Sequence, residues 1–576
     1  MLAATPASAT SALTPIQHVI IIVGENHTFD NLFGTYQPAA GQTVSNLLSR
    51  GIVNADGTPG PNFGLAQQNI GLDELNYTTE TFTTGSYSTL PQPYTTYGIG
   101  LPQGVPDTRF PANLPNGPYQ ISKYVPYAAY TGDPVHRFFQ MWQDYDGGKL
   151  DKFVWVEETI GTGSNGKPAP VGGFNPKEGA ISMGFYNMNP FTDASGNPQP
   201  GDAPTFKSLA DNYALADNYH QAIMGGTGAN FQAIVSGDAA FFSNPIHLNG
   251  RPAKPFSNQI ENPNPTLGTN NYYTQDGYAG GSYVNCFDPT QPGVAAVNEE
   301  LYKNGVFKNN CAPEHYYLVN NYSMYWNQTS SNPRTLGPNS FTLPPQSNPT
   351  IADVMNTYGV SWKYYSADRG DDPTVFASSV DGVPLLFHAY CGICDPLTGY
   401  LSIMKHPKQE AKLQNYGAFL NDVHNGTLPA VSFVRPFETL AGHPADSTSD
   451  LYEKFLADLI AQVQGSASLW ASTAIFITTD EGGGYYDSGY IQPLDFFGDG
   501  TRIPFLLVSP LAKKGFVDHT YYDHVSMLKF IEKNWGLPTI SNRSRDNLPN
   551  PVTGNDPYVP TNGPAIGDLM NLFNFQ

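Results

Sequence analysis

Residues 18–34, HVIIIVGENHTFDNLFG, run from an apolar stretch straight into a carboxylate and an amide. Val19 to Val23 are continuously apolar, which fits a strand buried on both faces of a parallel sheet rather than a half-exposed, alternating one. In open sheets of that kind ligands gather outside the carboxyl ends of the strands. Glu25 and Asn26 therefore stand where a site is expected. Thr28 and Asp30, just behind, are candidates for capping a short helix and supporting that pair.

Apolar runs of strand length recur at Lys152 to Val156, Val360 to Tyr365, Val431 to Val434, Ala474 to Thr478 and Phe505 to Val508. Helical patterns fall between them. SDLYEKFLADLIAQVQG sets Leu451, Phe455, Leu459 and Val463 on one face and stops at Gly465; DHVSMLKFIEKNWG starts at an Asp523 cap and stops at Gly536. This alternation predicts an α/β three-layer sandwich around a mostly parallel central sheet. Residues 1–15 are expected to be a flexible start and 16–576 a single domain. Insertions rich in Gly, Pro, Asn and Tyr near 55–125, 160–205 and 240–350 are expected to form a lid over one sheet edge.

The 28 Lys+Arg against 49 Asp+Glu leave a net charge of −21. That balance opposes nucleic-acid binding and leaves at most transient contact with a lipid surface. A phosphate-bearing ligand would need a local cation. No run of apolar residues is long enough to span a membrane. The polar start MLAATPASATSALTP resembles the beginning of a mature exported chain, so a secreted or periplasmic location is expected. The cysteines fit that location: Cys286 with Cys311 and Cys391 with Cys394 pair most simply as two disulfides. A structural zinc or free thiols are the alternatives, though the paired CxxC spacing of a zinc site is missing.

Two acidic pairs end strands: Glu25-Asn26, and Asp480-Glu481 in AIFITTDEGGGYYD. Singly, each is better read as a solvated turn, since acidic residues after strands are common. Together they bring three carboxylates and an amide oxygen to one edge, a costly cluster unless a cation holds it, and oxygen ligands favour one hard or borderline divalent ion. In NYHQAIMGGTGANFQAIVSG, Thr227 follows a glycine turn at the start of a helix. It is either a nucleophile at the positive end of the helix dipole or a simple N-cap. Asn230, one turn on, would face a phosphate. His136 and His443 are candidates for binding a phosphoryl oxygen or protonating a leaving group, against a plain structural role. DHTYYDHVS could pass for a second metal box, but Asp523 is better used as a cap.

These segments resemble the bacterial acid phosphatase and phospholipase C family, relatives of the alkaline-phosphatase superfamily. The likeness runs in order through GENHTFDNLFG, DPVHRFFQ with GGKLDKF, GGTGANFQ, AGHP, TDEGGGYYD and the late GTRIPFLLVSPLAKKGFVDH. It implies an alkaline-phosphatase-like fold, with one divalent metal ion bound by Glu25, Asn26, Asp480 and Glu481. It also implies Thr227 as the nucleophile, with Asn230, His136 and His443 around the phosphate. His388 falls where the family has a His-His pair, but Ala389 follows, and Ser488 stands where a histidine is usual.

The expected function is hydrolysis of phosphate monoesters, of the acid phosphatase type, through a phosphothreonine intermediate. A phospholipase C acting on phospholipid phosphodiesters is the alternative, since Thr at the nucleophile position suits that branch. A catalytically silent surface or glycan-binding protein is the alternative of another class, supported by the Tyr-rich loops. The sequence does not fix the metal, the pH optimum, the oligomeric state or the natural substrate.

Overall fold

The computed structural model describes residues 10–576 except 73–75, 96–104, 160–177, 243–253, 264–280, 327–335, 338–339, 341, 371–378, 381–382, 385–389 and 445. Strand β1 (His18–Gly24) lies inside an eight-stranded sheet. Its other strands are β2 (Ala214–Ala216), β3 (Trp362–Ser366), β4 (Leu413–Gln414), β5 (Val431–Arg435), β6 (Thr473–Thr479), β7 (Phe505–Val508) and β8 (Phe516–Asp518). Their spatial order is β4-β3-β5-β1-β6-β7-β2-β8. Within this sheet β7 is antiparallel to both neighbours and the remaining pairs are parallel. The mostly parallel sheet expected from the sequence is therefore present.

The continuous apolar runs divide by period two. Ile20 and Ile22 of β1 join Ile475, Ile477 and Leu506 in one core. Val19, Ile21 and Val23 join Phe476, Phe433 and Leu507 in the other. The nine helices named here in chain order are α1 (Phe29–Phe33), α2 (Phe138–Tyr145), α3 (Phe153–Thr159), α4 (Pro204–Asn212), α5 (Thr227–Ser236), α6 (Ile351–Tyr358), α7 (Tyr416–Asn425), α8 (Ser449–Gln464) and α9 (Val525–Trp535). The first core is covered by α4, α7 and α8, whose Leu451, Phe455, Leu459 and Val463 lie in it as the periodicity predicts. The second is covered by α5, α6 and α9. A buried strand needs this double cover because neither of its faces tolerates water. Each large apolar side chain taken out of water contributes about 1.5–3 kcal/mol, a core able to carry a costly polar site at its edge.

Lys152 to Val156 is not a strand. Phe153–Thr159 is helix α3, with Val156 N–H bonded to Lys152 O at 2.9 Å. A run of four apolar residues has no period that separates a buried strand from a buried helical turn, and Phe153, Val154, Trp155 and Val156 are all buried. The Asp523 cap holds in modified form: α9 starts at Val525, whose N–H donates to Asp523 Oδ1 at 2.8 Å, and Gly536 closes the helix at φ +60°. Parts of the segment near 55–125 enter the first core through Ala66, Leu90, Phe110 and Tyr119. From Thr10 the N-terminal segment is tied down, with Leu13 N–H bonded to Asn534 O at 2.7 Å. The disulfides are Cys286–Cys311 and Cys391–Cys394. Among the described residues no helix is long and apolar enough to cross a membrane.

Candidate active site

Gly24 and Thr479 are register partners at the carboxyl ends of β1 and β6, so Glu25-Asn26 and Asp480-Glu481 leave the sheet side by side. Two left-handed residues let the loops close on each other: Asn26 at φ +57° and Gly483 at φ +61°. A Cβ on Gly483 would stand 2.7 Å from Asn26 Cβ, so only glycine fits there. Asn26 N–H points at Asp480 Oδ1, 3.4 Å away. Thr28 caps α1 by accepting Asn31 N–H at 3.2 Å. Asp30 accepts Ser488 N–H at 2.8 Å and faces Arg502. Both support the loop.

All four residues of the two pairs are at most 2 % exposed. Asn26 Oδ1, Asp480 Oδ2 and Glu481 Oε2 are buried without a hydrogen-bond partner in the protein. Burial pushes the Asp480 carboxyl well above its ordinary range, with Glu25 adding to it; Glu481 is raised by burial and by Asp480 and Asp133. Glu25 is also raised by burial, against the opposing charge of Arg435. Arg435, at the end of β5, grips Glu25 Oε1 and Glu438 Oε2 with one nitrogen. Glu25 Oε2 remains for the site, 4.0 Å from His443 Nε2. An amide oxygen and three carboxylates, with three buried oxygens unmatched, fit a hard or borderline divalent cation.

Thr227 is the first residue of α5 and Gly226 its N-cap, so the simple cap role does not apply to Thr227 itself. Its hydroxyl donates to Glu481 Oε1 at 3.3 Å and also interacts with the Asp480 carboxylate. Asn230 does not face this space. Its amide nitrogen donates to Gly225 O at 2.9 Å and Ile223 O at 3.1 Å, and its oxygen accepts Ile223 N–H at 3.0 Å. It holds the glycine turn that delivers Thr227.

His136 and His443 do converge, with ring centroids 6.4 Å apart. His136 donates Nδ1–H to Pro134 O at 2.7 Å, and its Nε2 lies 3.9 Å from Glu481 Oε1. Burial and the neighbouring charge of His443 depress its pKa to about 3. Burial alone would lower His443 as well, but Asp133, Glu25 and Asp446 raise it well above its ordinary value. Asp133 escaped the sequence reading, although it sits three residues before His136. Its carboxylate lies 3.9 Å from both imidazoles. Arg435 escaped it too, and its signal was its position as the charged residue ending a buried strand.

Asp133, His136 and His443 bring ligand atoms within 4.8 Å of one another, a grouping that can hold an ion or an imidazolium. Glu25, Glu438, Cys391 and Cys394 form a second such group, but its sulfurs are joined in a disulfide. His388 lies outside the described residues. The DHTYYDHVS residues disperse: His519 pairs with Asp217 at 2.7 Å, and His524 Nε2 donates to Thr479 O at 3.0 Å. Ser488 uses its N–H on Asp30.

Over residues 16–538 the chain matches the model of the phosphoesterase family. It is 21 % identical to phospholipase C B of Mycobacterium tuberculosis, across 98 % of this chain and 78 % of that one. A probable acid phosphatase of Kluyveromyces lactis is 26 % identical over 36 % of this chain and 46 % of its own. A solved protein of the alkaline phosphatase superfamily from Vibrio parahaemolyticus aligns at TM-score 0.27 and 10 % identity, covering 60 % of this chain and 63 % of that one. That likeness is too low to carry weight beside the strand order above. The family match spans most of the chain, from before β1 to the end of α9: this protein belongs to the phosphoesterase family and is a phosphoric ester hydrolase.

Proposed function

We propose that the protein is an exported, metal-dependent phosphomonoesterase in which Thr227 attacks phosphorus and a phosphothreonine forms and is then hydrolysed. The observation that carries this reading is a hydroxyl at the first turn of α5 hydrogen-bonded to Glu481, beside three unmatched buried oxygens. Glu25, Asn26, Asp480 and Glu481 would hold the divalent ion. When bound, that ion supplies charge that favours the threonine alkoxide and offsets charge on the phosphoryl oxygens. Glu481 Oε1 is placed to take the Thr227 proton. The N-terminal dipole end of α5 faces the same charge. His443, kept cationic by Asp133 and Glu25, is placed to protonate the leaving oxygen. His136, held neutral with its proton on Nδ1, offers at Nε2 a lone pair that has no hydrogen-bond partner in the protein, placed to accept a hydrogen bond from a protonated phosphate oxygen or from water. The paired cysteines support export.

A second reading, phospholipase C activity, is favoured by the whole-chain alignment with the mycobacterial phospholipase C. The test is turnover of p-nitrophenyl phosphate against p-nitrophenyl phosphorylcholine with added divalent metals, for wild type and Thr227→Ala. Preference for the first substrate and a loss of about 10⁴-fold or more in the variant are expected. Preference for the choline ester selects the second reading, and full activity in Thr227→Ala removes the phosphothreonine.

A further inference from the structure

The Cys391–Cys394 bridge lies against the proposed metal site. Cys394 Sγ is 3.2 Å from Glu25 Oε1, the oxygen that Arg435 also grips. Cys394 is fully buried and Cys391 is partly exposed. The turn that carries the bridge is fastened at the carboxyl end of β3: Tyr364 O–H donates to Cys394 O at 2.5 Å, and Asp395 is held by Arg369 and by Tyr390 O–H. A disulfide sulfur has no proton and no charge, so it fills space against Glu25 without claiming its lone pairs. A thiol at the same place would donate to the carboxylate, and a thiolate would repel it.

We propose that the Cys391–Cys394 disulfide and Arg435 position Glu25 as a one-oxygen ligand, so that opening the bridge weakens metal binding at the active site. This rests on the reading of Glu25 as a metal ligand given above. A dithiol reductant opens the bridge by donating two electrons. The S–S bond breaks, each cysteine sulfur gains a proton from the dithiol, and the dithiol closes to its own disulfide. The attack starts at Cys391, the partly exposed residue of the pair. Cys394 then carries an S–H that competes with Arg435 for Glu25 Oε1 and turns the carboxylate away from the cation.

Calorimetric titration of the metal-stripped protein with Mn²⁺ tests this without relying on turnover. The double variant Cys391→Ser/Cys394→Ser is expected to raise the Mn²⁺ Kd by about 10- to 100-fold, the range usual for residues that orient a ligand. Cys286→Ser/Cys311→Ser, which removes the other bridge, is expected to stay within about twofold of wild type. Reducing the Cys286→Ser/Cys311→Ser protein, whose one remaining bridge is Cys391–Cys394, with a dithiol and desalting it under argon gives the comparison without a substitution at either cysteine of the tested bridge. Arg435→Lys, which keeps the charge but loses the fork, is expected to raise Kd by about tenfold. Equal Kd values in wild type and the Cys391/Cys394 variant overturn the proposal, as does an equal rise in both double variants. Glu25→Gln separates the layers. If it raises Kd while the bridge variant does not, only the role of the bridge falls. If it leaves Kd unchanged, Glu25 is no ligand and the metal reading falls with it.

Discussion

The segments that follow β1 and β6 meet twice, and the two meetings are built from the same kinds of residue. At the first, Glu25 and Asn26 meet Asp480 and Glu481. At the second, a few residues further along each segment, Asp30 meets Asp487. In the second the charges are matched inside the chain. Arg502 donates through Nε to Asp487 Oδ2 at 2.8 Å and through Nη2 to Asp487 Oδ1 at 3.0 Å, with Asp30 Oδ2 at 3.4 Å. The remaining lone pairs take backbone N–H groups from Leu47, Ser488, Asp30 and Gly489. In the first, among the described residues, no lysine or arginine lies within 4.0 Å of Asp480 or Glu481, and one oxygen of each has no partner. A buried carboxylate pair with its own guanidinium is satisfied within the fold; one that leaves oxygens unmatched at a strand edge carries a cost that a bound cation would offset.

The contrast predicts opposite signs for similar substitutions. Asp480→Asn should lower kcat/KM in the presence of metal by about a thousandfold, equivalent to about 4 kcal/mol of transition-state stabilisation. The same variant, stripped of metal, should melt at a higher temperature than stripped wild type, because one carboxylate has left a mutually repelling set. A lower melting temperature for the stripped variant would mean that Asp480 is matched by a group within the protein, and the contrast would disappear. At the other meeting, Arg502→Met should destabilise the protein by about 3–5 kcal/mol in urea unfolding, with or without metal, since it strands Asp30 and Asp487 in the interior. A loss below about 1 kcal/mol would show that the two carboxyls protonate at little cost and that Arg502 is not what holds them.

The sheet was legible in the sequence because continuous apolar runs bounded by glycine and acids leave little choice: β3, β5, β6 and β7 fall within two residues of the expected runs. Lys152 to Val156 misled because burial erases the period that distinguishes helix from strand. Glu25, Asn26, Asp480 and Glu481 could be found because strand ends announce themselves, and register partners 455 residues apart (479 − 24) bring them together. Asn230 was ambiguous for a physical reason. A side chain one turn after a glycine pair can face a ligand or tie down the turn, and spacing is the same in both cases. Asp133 gave no signal because its role depends on His443, hundreds of residues away; Arg435 offered only its place at the end of a buried strand, and its partner Glu25 is as distant.

A pH series sharpens the contrast further, with a smaller effect. Burial, with Asp487 adding and Arg502 opposing, raises Asp30 from 3.8 to about 6. A carboxyl whose folded pKa lies above its unfolded one binds more protons in the folded state through the interval between them. Its contribution to stability is complete below the unfolded value and is lost as pH rises through the folded one. Asp30 therefore costs stability between about pH 4 and pH 6 whether or not metal is present. Asp480 and Glu481 are raised further in the same direction, so in EDTA the loss should continue above pH 6, at up to about 1.4 kcal/mol per pH unit for each proton still held. Saturating metal keeps both carboxylates ionised and releases their protons on binding, so the loss should stop near pH 6. Urea unfolding from pH 5 to pH 8, with EDTA and with Mn²⁺, measures the two slopes. Parallel curves above pH 6 would show that these carboxylates do not exchange protons for a cation, and the first meeting would then be as self-contained as the second.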